Sequence, residues 1–204
     1  MSPTLRLCFL LLATLASCAS GLPRPKGIPV QYDPGQIPMA LTSAQEELLQ
    51  PEGTSAALAH MAAAQAAQPN STEESGQIQA LLVEAVAKRL DELKGSDRAD
   101  EMKAIAELEL PRDLAVRAAL GAARALLIQG ERLACKKYIV KTDGRYPLHA
   151  RRSESGRLLF EAGHSLATDP DTYFGFRSFR PLAGEVLEYF VQHHPEHPPL
   201  RPIS

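Results

Sequence analysis

The stretch QIQALLVEAVAKRLDELKG, residues 77–95, decides the fold class. Ile78, Leu81, Leu82, Ala85, Val86, Leu90 and Leu93 recur at helical spacing and form one apolar stripe. Glu84 and Lys88 stand four residues apart in the favourable order for a helix-surface ion pair. Just upstream, Ser71 and Glu74 have the spacing of a capping box. Downstream, Lys94 and Gly95 supply a C-terminal charge and a stop.

Working outward, the same period continues. A second helix is expected from Asp97 to about Leu108, burying Met102, Ile105 and Leu108. Pro111 fits the first turn of a third. That third segment, DLAVRAALGAARALLIQGERLACKKY (113–138), has apolar positions round most of its circumference and reads as the central helix. Gly130 is placed to end or kink it. YIVKTDGRYPL (138–148) changes period. Its β-branched run and Asp143-Gly144 point to a short β-hairpin, with an irregular loop as the alternative. Two more helices follow, one from about Glu154 to Ala167 over Leu159, Ala162 and Leu166. The other runs from Pro181 to His193 or His194 over Leu182, Val186, Tyr189 and Phe190. The expected fold is therefore mostly α, with about four to five helices in a domain over 71–195. No fixed repeat period is visible.

The first third reads differently. Residues 19–38, ASGLPRPKGIPVQYDPGQIP, contain five prolines, which forbid a continuous helix or an inner strand. A short helix is expected within 39–50. Alanine-rich 54–68 has high helix propensity and few large side chains, so it reads as a weak helix. Residues 18–70 are thus expected to be a Pro/Ala-rich flexible tether, and 196–204 an extended tail.

The amino terminus sets the expected compartment. Leu7 to Ala16 is an apolar run broken only by Thr14. It has the length of a signal-peptide core and is too short to span a bilayer. Leu15-Ala16-Ser17-Cys18 follows, and it resembles the lipobox of bacterial lipoproteins. The resemblance covers those four residues and the run before them. It implies removal of residues 1–17 and attachment of diacylglycerol to the Cys18 thiol. The domain would then be held at a membrane of the cell envelope, outer membrane or surface rather than cytoplasm. Acyl chains supply that affinity at roughly 0.8 kcal/mol per buried CH₂. An ordinary signal peptidase acting after Gly21 would instead discard Cys18 and release a secreted protein. Asn70-Ser71-Thr72, a glycosylation sequon, and the dibasic pair Arg151-Arg152 fit a eukaryotic secreted protein or processed precursor.

The charge balance, 22 Lys+Arg against 24 Asp+Glu, carries no nucleic-acid footprint. With Cys8 and Cys18 in or next to the leader, Cys135 is the one thiol left to the domain, read as packed or, beside Lys136 and Lys137, as reactive. The tail His193, His194 and His197 could attract a metal ion, but Pro195 prevents a rigid site. His164 and Ser165 are adjacent, and adjacent helical side chains diverge by about 100°, so they make no nucleophile–base pair. A hydrolase reading would need His164 with Glu154, Glu161, Asp169 and Asp171 brought together by the fold. No catalytic motif is present, and no cofactor or metal is expected. The expectation is a binding or assembly module rather than an enzyme. The segment YFGFRSFRPL (173–182) is the candidate contact region for a protein or envelope polymer. In it Arg177 and Arg180 are the exposed cations, and Phe174, Phe176 and Phe179 supply core.

Overall fold

The computed structural model describes residues 22–69, 71–169, 172–173 and 177–195. They hold eight α-helices: α1 (Ile37–Leu48), α2 (Thr54–Ala66), α3 (Thr72–Glu92), α4 (Ala99–Ala106), α5 (Arg112–Ile128), α6 (Arg132–Arg145), α7 (Arg152–Thr168) and α8 (Arg180–His193). The chain is mostly helical, as expected, with more helices than the four to five read from periodicity. Two compact units account for the contacts. One comprises residues up to 94 with 100–118, the other 95–99 with 119 onward.

The first unit corrects the tether. Prolines at 34 and 38 do not break structure there. Pro34 opens a single 3₁₀ turn, Pro34–Gln36, and Pro38 sits in the first turn of α1, where a missing N–H costs nothing. Ile37, Ala40, Leu41 and Ala44 then form a buried i, i+3, i+4, i+7 stripe. α2, read as weak, is the most enclosed helix of this unit. Thr54, Ala56–Ala59 and Met61–Ala64 are all buried, and α2 packs against both α1 and α3. Small side chains let neighbouring helix axes approach closely, so methyl groups fill a layer that would otherwise need leucines. The segment before α1 lies on the same body. Leu22 and Tyr32 are buried, and the Tyr32 amide donates to the Ala63 carbonyl at 3.3 Å.

α3 follows the expected stripe, with Ile78, Leu82, Ala85, Val86, Leu90 and Leu93 buried. The Ser71 hydroxyl caps it by accepting from the Glu74 amide at 3.1 Å. Glu84 and Lys88 pair at 2.9 Å. Gly95 ends the run at φ +80, a conformation that favours glycine. Inside the unit, Arg89 Nε donates to Glu101 at 2.7 Å and its Nη1 to Glu92 at 2.9 Å. Glu92 also accepts from the Thr54 hydroxyl at 2.6 Å, so α2, α3 and α4 share one polar network.

α5 is buried round most of its circumference, as its sequence implied. It ends in a Schellman motif: the Gly130 amide donates to Leu127 and the Glu131 amide to Leu126, with Gly130 at φ +81.

In the second unit the hairpin expected at 138–148 is instead α6. Ile139 is fully buried, which outweighs the β preference of the Ile-Val pair. The Thr142 hydroxyl back-bonds to the Tyr138 carbonyl at 2.8 Å, and the helix stops before Pro147. α6 packs on α7, and α7 on α8. Gly163 is where α7 meets α8: a Cβ there would lie 2.7 Å from Leu187 carbons. A short antiparallel pair, β1 (Thr172–Tyr173) with β2 (Arg177–Ser178), joins these two helices. The leader 1–17, Cys18, Asn70 and the tail 196–204 fall outside the described residues.

Candidate functional site

The most concentrated chemistry is a buried cluster in the second unit, Asp143, His149, Ser155 and His194. Asp143 comes from the last turns of α6, His149 from the α6–α7 connection, Ser155 from the first turn of α7 and His194 from the C-cap of α8. All four are at most 9% exposed. Asp143 Oδ1 accepts from His149 Nε2 at 2.9 Å and from the Ser155 hydroxyl at 3.0 Å. His194 Nε2 lies 3.1 Å from Oδ2, an ion-pair distance without good hydrogen-bond alignment. Burial by itself would raise the Asp143 carboxyl. The contacts from His194, His149 and Ser155, with the His194 charge, outweigh it and hold the group below the ordinary aspartate range.

Serine, histidine and aspartate invite comparison with a hydrolytic triad, and the geometry answers it. A triad histidine uses one ring nitrogen for the carboxylate and the other for the serine. Here His149 Nε2 faces both, at 2.9 Å from Asp143 and 3.3 Å from the Ser155 oxygen. Its Nδ1 is buried without a hydrogen-bond partner, and Nε2 is the nitrogen that donates, because the carboxylate facing it can only accept. Ser155 is fully buried and donates to the carboxylate itself. The cluster is thus a closed polar knot that ties α6, α7 and the end of α8 together. No group of three or more His, Cys, Asp or Glu with metal-holding geometry occurs among the described residues.

The residues singled out from the sequence are dispersed. His164 is exposed and stacks on Phe160, while the Ser165 hydroxyl accepts from Arg132 Nε at 2.8 Å. The carboxylates proposed for acid–base work each have an arginine: Glu154 pairs with Arg124 at 2.8 Å, Glu161 with Arg157 at 2.5 Å and Asp169 with Arg132 at 2.5 Å. Asp171 lies outside the described residues. The histidine pair of the tail divides. His193 is exposed and stacks on Tyr189, whereas His194 is buried in the knot; His197 is outside the described residues. Arg180 is exposed at the start of α8 and Phe179 is half-buried. Arg177 contributes backbone to β2, with its side chain outside the described residues, as are Phe174 and Phe176. Arg151 and Arg152 sit at the start of α7, where the Arg152 guanidinium donates to the His193 carbonyl.

Cys135 is fully buried in α6, and burial pushes its thiol up to about 12. The neighbouring lysines do not activate it. A thiol reagent at neutral pH should leave Cys135 unmodified in the folded chain and label it fully in urea. Rapid labelling without denaturant would contradict this burial.

No family of known proteins, no curated protein and no solved structure matches this chain.

Proposed function

We propose that this protein is an exported, lipid-anchored helical module that works by binding or assembly at a bacterial cell envelope, without catalysis of its own. One observation carries the reading: the apolar run Leu7–Ala16 leads into Leu15-Ala16-Ser17-Cys18, the pattern of a lipid-attachment site. The structure is compatible with a body held from outside the bilayer. No helix among the described residues is long and apolar enough to cross a membrane. The binding reading draws on the second unit, where the best acid–base constellation is a sealed knot. Arg180, exposed at the start of α8, is available to an anionic group on a protein or envelope-polymer partner.

Cys18→Ala tests the anchor. The variant should leave the membrane fraction and collect in the soluble or extracellular fraction. If it stays with membranes at full precursor length, an uncleaved leader holds the protein and the lipid reading fails.

A further inference from the structure

The folded body begins almost immediately after Cys18. Leu22 is buried, the Pro23 carbonyl lies 3.5 Å from the Ser55 hydroxyl on α2, and Tyr32 is fixed to Ala63 and His60. Only residues 19–21 separate Cys18 from Leu22, the first buried residue among those described. Four residue steps span at most about 14 Å even when fully extended. A lipid on Cys18 therefore cannot hold the first unit on a long leash; it must hold Leu22 within that distance of the lipidated sulfur's residue.

The charge pattern matches such a position. Arg24 and Lys26 are the only Lys or Arg residues between 19 and 87, a span that also carries Asp33, Glu46, Glu47, Glu52, Glu73, Glu74 and Glu84. Both cations of that span thus sit within eight residues of the attachment point. Lys26 is exposed in a tight turn with Gly27 at φ +95. Val30, on the same segment, is 55% exposed, an apolar side chain without a place in the core. Arg24 is half-buried, so Lys26 is the exposed cation, and a cation beside an exposed apolar side chain suits the headgroup zone of an anionic bilayer.

Resting on the lipid-anchor reading, we propose that Pro23–Val30 is a contact surface for anionic phospholipid headgroups, so that the first unit sits on the membrane with this segment against it. The partner is the lipid surface itself, recognised by short reach and by positive charge.

The test separates this from the anchor reading by supplying the lipid chemically. A chain beginning at Cys18 is coupled through its thiol to a maleimide lipid in phosphatidylcholine/phosphatidylglycerol vesicles. Cys135 is buried and does not compete. The protein has no tryptophan, so Val30→Trp is a single reporter at an exposed position. Quenching by headgroup spin-labelled lipid should be at least about threefold stronger with the native link than with a 20-residue Gly/Ser insertion after Gly21. Lys26→Glu should weaken quenching on these vesicles. Equal quenching with and without the insertion overturns the proposal, whatever the cell does to Cys18. Strong native-link quenching that ignores Lys26→Glu overturns the part assigned to charge. Failure of the anchor reading shows separately, as membrane retention of Cys18→Ala in cells.

Discussion

Asp143→Ala should cost the second unit about 3–5 kcal/mol, the loss typical when one partner of a buried ionic pair is removed. The substitution strips the carboxylate from His149, Ser155 and His194 at once, and leaves three buried polar side chains facing each other. Asp143→Asn keeps the volume and isolates the charge. Its difference from wild type should depend on pH with a fixed sign. The folded Asp143 carboxyl is held below its ordinary value of 3.8, so in that window the unfolded chain binds more protons than the folded one. The stabilisation is complete above the unfolded value and is lost as pH falls through the folded one. Urea melts of both chains at pH 7 and at a series below pH 4 should show the gap narrowing with acid. A gap that is constant across that range would mean Asp143 does not carry the charge of the knot.

The second large effect is expected at Gly53. A Cβ there would stand 1.9 Å from the Glu47 carbonyl oxygen and 2.7 Å from its carbon, which are backbone atoms that no rotamer change can move. Gly53→Ala must push the start of α2 off the end of α1, at or above the upper end of the ~1–3 kcal/mol usual for overpacking. Gly76→Ala is the matched control. It lies in α3 with no atom within 4 Å of the added carbon, and it should stabilise by about 0.5–1 kcal/mol through helix entropy. Opposite signs for the two variants in urea melts would establish that the α1–α2 corner is tightly packed. A neutral Gly53→Ala would show that residues 37–66 are loosely held.

That corner also shows where sequence reading reached its limit. α3, α4, α5 and α7 were legible because each carries large apolar residues at a 3.6-residue period. The limits of α1 and α2 were nearly right, yet their burial was missed. Large side chains are what periodicity makes visible, whereas α2 is buried largely through alanine, whose small volume lets its neighbours close in. The prolines misled for a related reason. Their cost depends on position within a helix, and Pro34 and Pro38 occupy first turns.

The knot was invisible because its four members come from separate elements, and two of them had a plausible local role. Asp143-Gly144 has the composition of a hairpin turn, and His194 that of a tail histidine. One signal was present. Cys135, Ile139 and Asp143 are spaced i, i+4, i+8, so extending the helix through 145 places a carboxylate on the buried face. A charge there requires partners, which His149 and Ser155 supply from the next connection and helix. The β-branched run at 139–142 drew the reading toward a strand, although tertiary burial commonly overrides that preference.

The lipid-anchored account is tested most directly by the intact mass of the chain recovered from the membranes of the cell that makes it. The account predicts residues 18–204, beginning at Cys18, plus the mass of a diacylglyceryl group and its acyl chains. A chain beginning at Leu22, or one that starts at Met1 with an unmodified Cys18, would contradict it.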